Sequence, residues 1–325
     1  MPSVDPPPLN PAQQQALDQL GAVSGERPTF PEDLRARLRH DLEAGLAPIL
    51  AELGPDDDLT VSKHLLSLVH GCEGRMLAEE AEGNTFVVSV PIARGTVAHK
   101  AIELGIHWRG DAAPLDLVDE ALARLTNTDH WLADWLQACP EADRAELRAT
   151  AGDRVHKFFE CFPPLQPRWR PVTESSLWVD LLGGRVRLKG KVDLTIGQAR
   201  GHEAGKVIID LKTGGPSGTH RDDLRFYALL EAVRIGVPPR LVASYYLDLG
   251  EARSEPVTEG ILDATVARTV DGARRVVDLR NGSVAPTLRP SYACRWCPAL
   301  ATCETGRDHL RATDDLDDLQ EPVDA

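Results

Sequence analysis

Two short stretches hold side chains that could do chemistry together. Val207-Ile208-Ile209-Asp210-Leu211-Lys212 is apolar until its C-terminal end, where Asp210 and Lys212 sit two positions apart and project to one side of a strand. Upstream, Asp193 stands near the end of a strictly alternating run, 185–196. Carboxylates from neighbouring strands can share a hard divalent cation with a backbone carbonyl, here that of Leu211, and with waters. Mg²⁺ is commonly bound this way when a substrate phosphate completes its shell. The ion acts as a Lewis acid and lowers the pKa of a bound water, which a lysine can orient or deprotonate. That combination suits phosphodiester hydrolysis. An isolated Asp-x-Lys is equally a surface ion pair, so its surroundings must decide. His99 and Glu103 lie one helical turn apart, able to reach the strand ends or to pair with each other.

The thiols form a second set. Cys294-x2-Cys297-x5-Cys303 offers three thiolates within ten residues. A tetrahedral Zn²⁺ or a four-iron cluster needs four ligands, so one must come from elsewhere, and spacing leaves zinc and iron-sulfur both open. Cys139 and Cys161, in apolar surroundings, read as core thiols.

The elements that must position these groups follow from periodicity. After a Pro-rich start at 1–10, 11–53 has helical spacing and ends at the Gly-Pro-Asp-Asp-Asp break, 54–58. Leu9-Asn10-Pro11-Ala12-Gln13 resembles a helicase entry motif but, without a G-x4-G-K-[S/T] loop, is read as an N-capped helix start. A helix is expected at 61–81, a strand at 85–90, and a helix after Pro91 carrying Gly95, His99 and Glu103. Helices at 115–137 and 141–160 follow. The period then switches to two: strands at 177–182 and 185–196 flank Gly183-Gly184, a hairpin signal. A strand at 206–212, a helix at 219–235, a strand at 240–249 and a helix at 258–280 complete the order. The alternating run puts Arg185, Arg187, Lys189, Lys191 and Asp193 on one face, a basic ladder ending in a carboxylate.

The 325 residues carry 50 Asp+Glu against 36 Lys+Arg, a net charge of −14 that argues against phosphate binding. Its distribution reverses that argument. Residues 1–60 hold 11 acidic and 4 basic side chains, and 304–325 hold 8 and 2, which leaves 31 against 30 between them. A core can be buried at 42% hydrophobic content, no apolar run spans a bilayer, and the N-terminus lacks a secretory signal pattern. A cytoplasmic location is expected, where six Cys are read as ligands, catalytic thiols or core residues before disulfides.

Five elements, in order, resemble the PD-(D/E)XK nuclease superfamily, specifically its RecB/AddB-like branch, which includes CRISPR-associated exonucleases with an iron-sulfur cluster. They are Leu59-Thr60-Val61-Ser62 leading to Cys72; Gly95-x3-His99-x3-Glu103; Gly190-Lys191-Val192-Asp193; Asp210-Leu211-Lys212-Thr213-Gly214; and the Cys294–Cys303 set. The resemblance implies a restriction-endonuclease-like α/β fold, a central mixed β-sheet flanked by helices, with a helical N-terminal extension. It implies a nuclease domain at 59–306, between an acidic extension at 1–58 and an acidic tail at 307–325. It assigns Mg²⁺ or Mn²⁺ to Asp193 and Asp210, with His99 as a further ligand, and makes Lys212 the catalytic lysine. Tyr227 matches a family position on the following helix, whereas Asp223 stands where the family usually has Gln; a carboxylate there repels phosphate unless neutralised. Cys72 is implied as the fourth ligand of a [4Fe-4S] cluster, structural Zn²⁺ being the alternative. The function implied is a metal-dependent DNA nuclease, an exonuclease on single strands or duplex ends, in repair, recombination or defence. The competing reading is a non-catalytic iron-sulfur DNA-binding or assembly module that partners a helicase.

Overall fold

The computed structural model describes residues 8–21, 27–54, 57–81, 90–128 and 130–320, apart from the side chains of 130 and 314–320. The chain opens with helices α1 (Pro11–Leu20) and α2 (Leu34–Leu50), strand β1 (Leu59–Ser62) and helices α3 (Lys63–His70) and α4 (Glu73–Ala81). Helices α5 (Val90–His107), α6 (Pro114–Thr128), α7 (His130–Ala138) and α8 (Glu141–Cys161) follow, then strands β2 (Val172–Leu181), β3 (Val186–Ile196) and β4 (Val207–Lys212). The last elements are α9 (Thr219–Ile235), β5 (Leu241–Tyr246), β6 (Glu251–Pro256), α10 (Glu259–Arg280) and α11 (Glu304–Gln320). The chain divides into two compact units. Unit 1 comprises Met1–Asp41, Val88–Val179 and Leu188–Val266, and unit 2 comprises Leu42–Val87, Asp180–Arg187 and Ala267–Ala325.

Unit 1 is built on the sheet. β3 pairs antiparallel with β4, β4 parallel with β5, and β5 antiparallel with β6, while β2 pairs with β3. The mixed sheet and its helices have the architecture expected from the sequence. Odd-numbered residues of the parallel pair, Ile209, Leu211, Ala243 and Tyr245, enter a core shared with α5, α6 and α8. Phe158 of α8 stacks on Phe162 at 4.8 Å and meets Tyr245 edge-on at 5.7 Å. Burying an aromatic of this size contributes about 1.5–3 kcal/mol. Even-numbered residues of β4 and β5 emerge on the opposite face, against which α9 packs. α9 ends because Gly236 takes φ 99°, a left-handed cap.

Local chemistry explains several helix starts. Asn10 caps α1 in a reciprocal box with Gln13, as the N-cap reading of this segment requires. Ser62 caps α3 by accepting the Leu65 N–H. In unit 2, the Leu59 N–H at the start of β1 donates to the Arg185 carbonyl at 2.9 Å.

Some boundaries differ from expectation. The helix read at 61–81 is β1 followed by two helices broken at Gly71-Cys72, and 115–137 is split into α6 and α7. The strand read at 85–90 lies outside the described residues except for Val90, which opens α5. The strand at 240–249 is shorter, and polar β6 follows it unforeseen; Glu251-Ala252-Arg253-Ser254-Glu255-Pro256 has the mixed character of an edge strand. The acidic segment after Cys303 forms α11, a helix of 17 residues. No described helix is long and apolar enough to cross a membrane.

Candidate active site

The register of β4 and β5 sets Asp210 opposite Ser244 and Lys212 opposite Tyr246. Asp210 is only 1% exposed, and a buried carboxylate is costly unless a cation answers it. The answer is Lys212, whose Nζ lies 2.7 Å from Asp210 Oδ2. The same ammonium is 3.4 Å from Asp223 Oδ2. The carboxylate at the usual Gln position is therefore neutralised by the lysine rather than left facing an incoming phosphate.

Asp193 is fixed by the neighbouring strand: its Oδ2 accepts the Leu211 N–H at 2.7 Å. Its Oδ1 lies 3.5 Å from His99 Nδ1. Burial disfavours the His99 imidazolium, yet the Asp193 carboxylate, helped by Asp210 and Glu174, outweighs it and raises the ring pKa. Gly95, one turn earlier on α5, allows Thr213 to approach, since a Cβ there would lie 3.1 Å from Thr213 Oγ1. Gly190 has a harder constraint, because a Cβ would fall 2.5 Å from the Tyr227 ring. Tyr227 is 1% exposed and packs there under β3. Glu103 turns away from the site to Lys100, at 2.8 Å.

One residue at the site was not foreseen. His99, Asp193 and Glu174 offer ligand atoms all within 4.8 Å of one another, the one such group among the described residues. Asp210 is not part of this trio; it serves Lys212. Glu174 has φ 53°, a left-handed conformation that costs a non-glycine residue about 1 kcal/mol or more. It is held there by an ion pair with Lys191. One imidazole and two carboxylates form a donor set that could hold a divalent cation.

The basic ladder is largely engaged by the protein. In unit 2, Arg185 donates to the carbonyls of Gly54 (2.7 Å) and Asp57 (2.8 Å), and Arg187 to Asp180 (2.6 and 3.1 Å). Lys191 pairs with Glu174, which leaves Lys189 without an ion-pair partner among the described residues.

In unit 2, Cys72, Cys294, Cys297 and Cys303 line one cavity of ≈ 200 Å³. Cys72 joins the other three because α3 ends at Gly71 and α4 starts afresh at Glu73. Burial raises the Cys297 thiol pKa, and neighbouring Cys72 and Cys294 act in the same direction. The Ser291 N–H points at Cys294 Sγ (3.4 Å) and the Gly306 N–H at Cys303 Sγ (3.3 Å). A Cβ at Gly306 would stand 3.5 Å and 3.6 Å from the sulfurs of Cys303 and Cys294. No three of the four sulfurs, however, come within 4.8 Å of one another. Four thiolates around one Zn²⁺ would be spaced by about 3.8 Å, since Zn–S is about 2.3 Å. The four thiols surround a cavity and are not clustered about a point, so their geometry does not support the [4Fe-4S] cluster, and it does not meet the spacing of the zinc alternative either. Beside them Glu73 is 5% exposed and takes the Arg275 guanidinium at 2.6 and 2.7 Å and the Thr287 N–H at 2.6 Å. Arg275 holds the Glu73 carboxyl well below the usual range, at about 2.

A family model of the PD-(D/E)XK nuclease superfamily matches residues 61–304. The chain belongs to that superfamily, whose members hydrolyse phosphodiester bonds. No curated protein is significantly similar to it. Among solved structures it resembles SSO0001, at 15% identity and TM-score 0.36, over 83% of this chain and 97% of that one. It also resembles a Eubacterium rectale protein provisionally described as an exonuclease, at 14% identity and TM-score 0.44, over 76% and 86%. A third is Rai1 of Scheffersomyces stipitis, at 11% identity and TM-score 0.26, over 85% and 76%. These structural likenesses are too distant to add to the family assignment.

Proposed function

We propose that the protein is a metal-dependent DNA exonuclease of the RecB/AddB-like branch, acting on single strands or duplex ends in repair, recombination or defence. The observation that carries the reading is the buried Asp210–Lys212 pair ending β4 beside His99, Asp193 and Glu174. Asp193, His99 and Glu174 hold Mn²⁺ or Mg²⁺, with the Leu211 carbonyl and Asp210 bordering the site. When bound, the ion supplies Lewis-acid charge and lowers the pKa of water. Lys212, held between Asp210 and Asp223, would orient the attacking water as an ammonium, and would take the water's proton only after passing its own to solvent. Tyr227 steadies β3 from beneath and so positions Asp193. An intact, mutually neutralising Asp210–Lys212 pair argues against a vestigial pocket serving only DNA binding.

The four cysteines, on the same reading, hold a [4Fe-4S] cluster. Their order in the chain supports it. A cluster several atoms across accommodates thiolates more widely spaced than a single ion does. A cytoplasmic setting and a helicase partner complete the proposal.

The test is incubation of anaerobically purified protein with labelled linear and circular DNA plus Mg²⁺ or Mn²⁺, beside Asp210→Ala. Linear DNA degraded by wild type alone, with circles spared, is the expected result. Equal degradation by wild type and variant would end the catalytic reading.

A further inference from the structure

The sheet face that carries the catalytic pair has a second built feature further along. Asp210, Ser244 and Arg253 are register partners on β4, β5 and β6. Their side chains therefore stand in one row on the α9 face, each strand ~4.8 Å from the next. A cavity of ≈ 220 Å³ lies at the β5–β6 end of this row, and its lining includes Ser217, His220, Ser244, Tyr246 and Arg253.

The chemistry of this lining is that of a phosphate site. Arg253 lies over the Tyr246 ring, 5.6 Å from its centroid, and no carboxylate pairs with it among the described residues. Glu255, which also borders the cavity, is engaged by Arg225 at 2.6 and 2.7 Å. Ser244 is 3% exposed and lines the cavity, yet its hydroxyl has no hydrogen-bond partner among the described residues. His220 Nδ1 sits 3.1 Å from the Tyr246 hydroxyl. α9 starts here, and its N-cap, Gly218, brings no capping side chain. The N–H groups of Thr219, His220 and Arg221 are taken by Ser217 and Gly218, so the 17-residue helix brings only its positive dipole end to the cavity. A guanidinium, an imidazole, hydroxyls and a helix N-terminus together select an anion of tetrahedral oxygen geometry.

We propose that this pocket takes a phosphate of the substrate strand beside the bond being cut, with Arg253 as its anchor. The proposal rests on the nuclease reading of Asp210 and Lys212 and assigns the substrate a second point of attachment, two strand spacings or ~10 Å along the sheet.

The experiment is metal-free equilibrium binding of fluorescent single-stranded oligonucleotides ending in 5′-phosphate, 3′-phosphate or hydroxyl, across a salt series. Wild type is compared with Arg253→Gln, Ser244→Ala and the exposed control Arg200→Gln, all checked by thermal melting. Arg253→Gln is expected to weaken binding roughly tenfold and to flatten the salt slope by ~0.7, one phosphate contact on a single strand. Ser244→Ala should weaken it severalfold, and Arg200→Gln should change nothing. A loss confined to phosphorylated strands assigns a chain-end phosphate to the pocket, and an equal loss on all strands assigns an internal phosphodiester; both uphold the proposal. An Arg253→Gln protein with unchanged affinity and slope overturns it. Binding without metal does not depend on cleavage, so failure of the nuclease reading, seen in the Asp210→Ala comparison, remains distinguishable.

Discussion

The carboxylate site of unit 1 and the cysteine cavity of unit 2 are assembled in contrasting ways. The first stands on strand ends and the middle of a long helix. Asp193 is pinned by the Leu211 N–H, Lys212 by two carboxylates, and Glu174 by Lys191 even at the cost of a left-handed backbone. The second gathers thiols from a break between two short helices and from 3₁₀ turns at Tyr292–Trp296 and Pro298–Ala301, around a cavity. Donors held by packing are ready before the ligand arrives; donors on turns depend on the ligand to fix them. The two sites should therefore fail differently, one losing chemistry and the other losing structure.

The largest expected effect is at the cysteines. On the proposed cluster, wild type should be brown with iron and acid-labile sulfide, and Cys294→Ser should lose all three and melt at a lower temperature; a colourless wild type would remove the cluster. Next comes Glu73→Ala, which strands Arg275 beside the cavity. Losing the Arg275 and Thr287 contacts of Glu73 should lower stability in denaturant unfolding, moderated because Arg275 reaches solvent and the Ala285 carbonyl. Glu174→Gln tests the opposite behaviour. Mn²⁺ affinity measured by calorimetry should fall roughly 10–100-fold while the melting temperature holds, because ligand geometry is lost without loss of core. The smallest effect belongs to Asp223→Gln, which restores the family's usual residue. Removing a carboxylate takes a negative charge from where substrate phosphate must approach, so cleavage should rise, by no more than about tenfold. A large loss would show that Asp223 does more than neutralise the lysine.

The parts legible in the sequence are those where one residue pattern had one structural solution. The run ending in Asp210-Leu211-Lys212 could only be a buried strand surfacing at its end, and β4 is that strand. Asn10 and Gln13 announced a capped helix, and α1 begins there. Glu174 was hidden because its role depends on a left-handed backbone within a strand, which no periodicity signals; the Thr-Glu-Ser-Ser stretch ahead of 177 was its only trace. β6 was missed because edge strands need no apolar alternation. The ladder of Arg185, Arg187 and Lys191 was visible as charge, but its partners, Gly54, Asp57, Asp180 and Glu174, come from elsewhere in the chain. Asp223 was seen as an anomaly, and only proximity to Lys212 explains it.

The central claim is that Lys212, on the end of β4, performs proton transfer at a site whose donors are already in place. Single-turnover cleavage of a labelled linear strand by Lys212→Met, with Mn²⁺ and DNA affinities measured on the same preparation, tests it most directly. The rate should fall on the order of 10³-fold, far more than any loss of Mn²⁺ or DNA affinity caused by leaving Asp210 and Asp223 without their cation. Cleavage at the wild-type rate would contradict the account.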